Sequence, residues 1–574
     1  MGASSNRQNL AYGTVLLAAF GMDCAAQTPP PPRPDSGQIL QELERDPAQR
    51  RPQAPVPASP DVAVRDADLT PESTALSQTR IDVRGYQLSG NTVFPDETLL
   101  ALISQQIGSM TLSQLEQVAM RITRHYRDRG YMVARAYLPY QEIRSGIVRF
   151  DILEGRFGEV RVRNASNLSE HRLRGTLERS ACDGTCAGGL IREAPLERGM
   201  LRLADLPGIR VRGELQPGRD VGSSDVVLNV EPTRRFRGSI DATNHGGRYV
   251  GRERATLTAA YANPFGIGDQ ANFQGAYSAG STYASLGYDA PINYRGTRAF
   301  VSVYRMDYEL REDFAALGAE GDTLGGEVGL AHSLFRDSRR SLGARVTYAY
   351  KSIEDDVTAA AITNERVATT YTATLDGALN DAWLGRLAIN RLSLGYTAGE
   401  LEIREPLSAA IDAATVRTDG HFDKISYWLS RSQQLTDRWS LYVKATGQIA
   451  DRNLDSSEKF YLGGPNAVRA YAVGEAAGDR GYLASAEVRR VFFGPFGGTT
   501  ELIAFYDRGR VRADARPWQD AAMTRTLDGY GTGFDWNQQQ GWSLAATLAF
   551  RGSEASVSGP DRDYQVWLSG GYRF

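Results

Sequence analysis

YQVWLSGGYRF, Tyr564 to Phe574, is the stretch on which the fold turns. In an extended chain Tyr564, Val566, Leu568, Tyr572 and Phe574 share one face, and the residues between them share the other. A strand with one apolar face and aromatic ends suits a wall between lipid and water. The pattern recurs upstream. Leu342, Ala344, Val346, Tyr348 and Tyr350 oppose Arg345, Thr347 and Lys351. Trp439, Leu441, Val443 and Ala445 oppose Ser440, Tyr442, Lys444, Thr446 and Gln448. Trp542, Leu544, Ala546, Leu548 and Phe550 oppose Ser543, Thr547 and Arg551. Allowing roughly 21 residues per strand and loop, residues 233–574 predict an all-β transmembrane barrel of about 16 antiparallel strands. A propeller would repeat a blade motif, and no fixed repeat is present here.

Composition agrees with strands crossing a membrane. Mean hydropathy is −0.38, and no apolar run reaches the roughly 18 residues of a spanning helix. The 59 glycines, and 27 tyrosines against 19 phenylalanines, suit a wall in which alternate side chains meet lipid. A net charge of −3 points away from nucleic acid.

The start of the chain predicts export. Arg7, an apolar run from Leu10 to Met22 and a small-residue exit read as a signal peptide over 1–26, which Cys24 leaves with. In an exported chain, Cys182 and Cys186 predict a small disulfide. Histidine is absent from their loop, and three residues rather than two separate them, which disfavours a metal site or a thioredoxin-like pair.

Residues 27–46 are a proline-rich stretch followed by a short helix, 36–46, capped by Ser36, with Ile39, Leu40 and Leu43 on one stripe. Residues 47–78 read as a linker. A helix isolated this way is marginal alone and must dock elsewhere in the molecule. Residues 79–155 and 156–232 each read β-α-α-β-β, an internal repeat of two small α+β units.

Enzyme signatures are missing. The five histidines are scattered, no HExxH or G-x-S-x-G is present, and Gly266-Ile267-Gly268 reads as a hairpin turn. No catalytic activity, metal or cofactor is expected.

Within the barrel region, GGPNAVRAY (Gly463 to Tyr471) opens a long loop, 463–480, that carries one arginine. Leu502, Ala504 and Tyr506 would face lipid, which turns Asp507 to the lumen. The residues alone leave open whether Arg469 and Asp507 meet or are separate lumen charges.

Taken together, this layout resembles the TpsB transporters of two-partner secretion, within the wider outer-membrane assembly-factor superfamily. The family's Val-Arg-Gly-Tyr/Phe motif is matched by Val468-Arg469-Ala470-Tyr471 after Gly463, Gly464 and Pro465, and its aromatic-x-Asp by Phe505-Tyr506-Asp507. DATNHGGRYVGRERATL followed by NPFGIGDQ is similar to the family's entry into the barrel.

The resemblance implies two POTRA domains, an Arg469–Asp507 pair pinning the loop to the lumen wall, and a plug helix at 36–46. Ala470 departs from the family glycine. Either the tip keeps an ordinary backbone or its shape differs, because alanine at positive φ costs about 1 kcal/mol or more.

The implied activity is ATP-independent secretion of a large, unfolded exoprotein with a TPS-type N-terminal domain across the bacterial outer membrane. Periplasmic POTRA edges near Ile81–Leu88, Met132–Leu138 and Arg210–Leu215 would receive it by strand addition. Outer-membrane lipid and the barrel-assembly machinery are further expected partners, with terminal Phe574 as the insertion signal. The alternatives are a general barrel-assembly factor, which usually carries more POTRA repeats or lacks the plug helix, and a passive porin, which needs no repeats.

Overall fold

A computed structural model describes residues 33–44, 62–64 and 80–574, except 144, 183, 495–496, 519–522, 539–540, 553 and 560–561. The expected signal peptide, residues 45–46 of the expected helix and most of the expected linker lie outside the described residues. Helix α1 spans Ser36–Glu44. Asp35, rather than Ser36, caps it, accepting from the Gln38 N–H at 3.1 Å. Within the expected linker, Val62–Val64 forms a short strand, β1.

The first repeat runs β2 (Arg80–Val83), β3 (Gly85–Ser89), α2 (Asp96–Ala101), β4 (Gly108–Thr111), α3 (Leu112–Arg127), β5 (Arg135–Tyr137) and β6 (Ile147–Leu153). The strand expected over Ile81–Leu88 is two strands, and β4, which pairs with β2, was not expected. Thr111 ends β4 and starts α3 through a reciprocal cap: it accepts from the Gln114 N–H at 3.3 Å, and its own N–H donates to the Gln114 carboxamide at 2.8 Å. Leu115, Val118, Ala119 and Ile122 turn one face of α3 onto Val148 and Phe150 of β6.

The second repeat runs β7 (Arg156–Asn164), α4 (Glu170–Ala181), α5 (Glu193–Ala204), β8 (Ile209–Pro217) and β9 (Ser223–Pro232). Its sheet order is β1-β8-β9-β7. Cys182 and Cys186 are disulfide-bonded just after α4, and Cys186 is buried in the core of this unit.

From β10 (Phe236–Thr243) onward, sixteen strands close an antiparallel barrel. The last strand, Tyr564–Arg573, returns to β10, with Ser239 opposite Arg573 and Thr243 opposite Ser569. Phe574 extends the seam by exchanging backbone hydrogen bonds with Gly238, both at 3.1 Å, and its ring stacks on Phe236 and Tyr572. Ile240, Leu257, Val346, Leu394, Leu502 and Leu568 all point outward and are exposed. A soluble chain does not present so large an apolar surface, and a lipid-facing wall does. The Gly266-Ile267-Gly268 segment is a strand-connecting turn, as expected. Both glycines have positive φ, and the Gly266 carbonyl accepts from the Ser169 N–H at 2.9 Å, seating the second repeat against the barrel.

Candidate functional site

Two segments enter the barrel. One is the loop between the strands Trp439–Ala450 and Arg480–Phe493. Its base is a small antiparallel ladder, Phe460–Leu462 against Ala476–Gly478. Gly463 and Gly464 turn the chain at φ of +92° and +98°, where a side chain on Gly463 would strike the Ala472 carbonyl. Pro465 follows the turn, half-buried.

At the tip, Arg469 lies between two wall strands. Its Nε and Nη2 donate to the two Asp507 carboxylate oxygens, each at 2.7 Å, and Nη1 reaches Glu487 at 2.8 Å. This bidentate geometry matches a planar guanidinium to a carboxylate. Ser485 Oγ donates to Asp507 at 2.5 Å and accepts from Arg469 Nη2 at 3.1 Å. The guanidinium carbon sits 3.5 Å from the centre of the Phe505 ring, a cation–π contact. Asp507 is fully buried. Val468 and Tyr471 are buried beside it, and the Tyr471 hydroxyl donates to the Glu554 carbonyl at 2.9 Å. The Trp567 indole on the final strand donates to the Arg469 carbonyl at 2.7 Å.

Ala470 resolves the departure noted above. It keeps a negative φ, and its methyl faces Gly529, where an added Cβ would lie 2.4 Å from it. The missing side chain at 529 makes room for the one gained at 470.

The other segment is α1. Ile39, Leu40 and Leu43 pack onto Tyr249, Val250, Met306, Tyr308 and Leu310 of the barrel interior. Polar contacts hold both ends. Ser36 Oγ and N–H donate to Asp355 at 2.6 and 3.0 Å. Arg366 bridges Asp355, Asp455 (3.3 Å) and Asp35 (3.5 Å). Near the other end Glu42 pairs with Arg254 at 3.8 Å. Helix and loop also touch, since Gln41 donates to the Ser457 carbonyl at 2.6 Å.

Several anchors were not anticipated. Glu458 is bridged by Lys351 and Lys424 of the wall. Buried Glu475 accepts from Val557 N–H at 2.7 Å, Ser556 Oγ at 2.8 Å, both donors of Ser558, and Arg525 at 3.0 Å. It ties the exit of the loop to the last hairpin. These pairs join residues far apart in the chain, and no local pattern marks them.

A closed barrel with a motif loop pinned inside, a docked helix and two small N-terminal repeats is an exporter's architecture. The model of the haemolysin secretion/activation protein family ShlB/FhaC/HecB matches residues 222–535, and that of the ShlB-type POTRA domain matches 81–155. The chain belongs to the ShlB/FhaC/HecB family. It is an outer-membrane transporter of two-partner secretion, with its POTRA domains in the periplasm. Among its relatives, the heme/hemopexin transporter protein HuxB of Haemophilus influenzae strain Rd is 28% identical, with 94% of each chain covered. The outer membrane transporter CdiB of Dickeya dadantii is 24% identical over 76% of this chain and 77% of that one. In structure, CdiB from Escherichia coli superposes with a TM-score of 0.67 at 22% identity, covering 94% of this chain and 97% of that one, and so shares the fold. ShlB/FhaC/HecB members are transporters of exoproteins rather than enzymes.

Proposed function

We propose that the chain secretes one large exoprotein bearing a TPS-type N-terminal domain, and that the described arrangement is the resting, closed pore. The observation that carries this reading is the double occupancy of the lumen. With α1 and the motif loop both inside the barrel, passage of an unfolded chain calls for one of them to leave. Helix α1 is the removable part. It is nine residues long and attached through a tether, and so short a helix gains its stability from docking. Arg469, held by Asp507 and Glu487 over Phe505, fixes the loop that stays. Val468 and Tyr471 wedge its tip, Gly463, Gly464 and Pro465 shape its entry, and Cys182–Cys186 secures the second POTRA unit.

The outward apolar band fits outer-membrane lipid, and the aromatic terminus at Phe574 fits insertion by the barrel-assembly machinery. Export is driven by the exoprotein folding outside, which prevents its return, with no nucleotide used. The names of relatives support an exoprotein in heme or hemopexin handling, as for HuxB, ahead of a hemolysin, as for the Serratia marcescens hemolysin transporter ShlB, which is 22% identical.

The test is release of a co-expressed large exoprotein bearing a TPS-type N-terminal domain, from cells carrying wild type, Arg469→Ala or a deletion of 79–232, with insertion checked by heat-modifiable gel mobility. Wild type should release it, and both variants should insert but fail to release it. Release independent of this chain, with other barrel proteins falling on its loss, would make it an assembly factor instead.

A further inference from the structure

Six neighbouring wall strands, the first Arg340–Val357 and the last Arg480–Phe493, carry a row of outward positions straight across the barrel. Leu342, Gly377, Leu392, Leu429, Ala445 and Ala484 are successive register partners. The row alternates leucine with very small residues, and the wall is hollowed there into an apolar groove of about 810 Å³. That lies within the roughly 300–1,000 Å³ of small-molecule sites. A glycine inside a strand marks a place where another backbone or a ligand comes close. At Gly377 nothing in the chain crowds in: an added Cβ would meet its nearest neighbours, on Leu342, Ser341 and Leu392, at 3.8 to 3.9 Å. The space is left for something outside the chain.

The next row, Arg340, Leu379, Asn390, Arg431 and Val443, is again in register and brings two cations to the end of the groove. It adjoins the barrel turns on which the second POTRA unit rests, where Ser338 N–H donates to Glu197 of α5 at 3.1 Å and Arg336 pairs with Asp205 at 2.8 Å. The groove therefore opens into the periplasmic leaflet, which is built of glycerophospholipid. Arg431 is held in place by Asp381 at 2.8 Å and Asn390 at 2.7 Å. Arg340 uses Nε and Nη2 on Asp337 at 3.1 and 3.0 Å, yet its side chain is still 61% exposed. In the adjoining turns Asp437 pairs with Arg386 at 2.6 Å. Arg339 and Arg438 are exposed and, among the described residues, have no carboxylate partner. The arginines of this rim thus outnumber its aspartates. Trp383 stands exposed in the turn beside them, with the Arg431 guanidinium 5.7 Å from its ring centre, and a ring of this kind marks the headgroup level of a bilayer.

We propose that this groove binds one molecule of an anionic glycerophospholipid, phosphatidylglycerol, from the periplasmic leaflet. An acyl chain lies along the Gly377 row, and the phosphate meets Arg340 and its unpaired neighbours. A guanidinium presents paired N–H groups that match phosphate oxygens, and basic pockets beside an apolar wall bind lipid headgroups. A zwitterionic lipid brings its own cation to the same place, so the excess of arginine selects the anionic headgroup. The bound lipid is held at the turns that carry the second POTRA unit.

The experiment titrates full-length protein in detergent with phosphatidylglycerol or with phosphatidylcholine of the same acyl chains, read by native mass spectrometry. Wild type should retain one phosphatidylglycerol per chain and at least fivefold less phosphatidylcholine. Gly377→Leu fills the groove where the backbone leaves room for a side chain, and Arg340→Gln removes the exposed cation. Each should lower phosphatidylglycerol retention at least fivefold, with heat-modifiable mobility unchanged. Equal retention of the two lipids by wild type, or wild-type retention by either variant, overturns the proposal. So does a complex of two chains that Gly377→Leu abolishes, which would make the groove a contact between copies. A second measurement leaves the groove intact. In phosphatidylcholine vesicles, a small fraction of phosphatidylglycerol brominated on its acyl chains should quench Trp383, read as the difference between wild type and Trp383→Phe, more strongly than the same fraction of brominated phosphatidylcholine. Equal quenching overturns the proposal.

Discussion

Arg469 shows what a charge gains from a prepared site. Its guanidinium meets a buried carboxylate in two parallel bonds, a second carboxylate and an aromatic face. Removing one partner of a buried pair costs about 3–5 kcal/mol, because the other is left uncompensated. Arg469→Ala should therefore unseat the loop tip, read as faster maleimide labelling of a cysteine placed at Asn466. Arg469→Lys should restore little, since a point charge cannot serve both carboxylates and the ring face. Gly529 gives a second test at this scale. Gly529→Ala places a methyl against that of Ala470 and should unseat the tip. Ala470→Gly in the same chain should recover part of the loss, though not all, because the new Cβ also lies 2.9 Å from the Phe550 carbonyl. The Arg469 and Asp507 positions were legible because both lie in short motifs. Glu487 was not. It reaches Arg469 only because Ser485 pairs with Asp507 across neighbouring strands, and register is not written in either strand alone.

At the scale of elements, period-two strands and the long helix α3 were readable, because each repeats its apolar spacing over many residues. The short β4 was not, since Gly-Ser-Met-Thr carries no period, and neither was β1, whose pairing depends on a strand about 150 residues away. A buried carboxylate organises the first POTRA unit. Glu154 accepts from Thr92 N–H at 2.5 Å, Val93 N–H at 2.7 Å and the Tyr126 hydroxyl at 3.0 Å. Burial raises its pKa, but the bonds from Thr92 and Val93 outweigh this and hold it below the ordinary 4.5. A depressed carboxylate adds stability that is present above its unfolded pKa and is lost as pH falls through the folded one. Amide protection at Thr92 and Val93 should therefore persist at pH 6 and fall below pH 4.5. Glu154→Gln should show the loss at every pH, since an amide offers one acceptor oxygen where the carboxylate offered two.

Across the whole molecule, the plug and the motif loop meet at one cation. Arg366 sits among Asp35 on the approach to the helix, Asp355 on the wall and Asp455 on the loop. The barrel and its lumen loop were foreseeable from alternation and motif. This junction was not, because it joins three separate stretches that only the closed barrel brings together. Three carboxylates around one guanidinium leave an excess of negative charge, so the two kinds of variant act in opposite directions. Arg366→Ala leaves three like charges facing one another in a buried place, each destabilising the others. The start of α1 should then detach, raising resting conductance in planar bilayers and exposing the loop near Ser456 to protease. Asp35→Asn removes one of the repelling charges and keeps the Arg366 bonds to Asp355 and Asp455, so the plug should stay seated and conductance stay low. If both substitutions open the pore equally, the junction holds α1 by shape rather than charge, and Ile39, Leu40 and Leu43 carry the closure. Leu40→Ala separates packing from charge, because it leaves Arg366 and its three carboxylates intact while cutting a fully buried leucine at a cost of about 2–5 kcal/mol: conductance raised in Leu40→Ala but low in Arg366→Ala assigns closure to the apolar face, and the reverse assigns it to the junction.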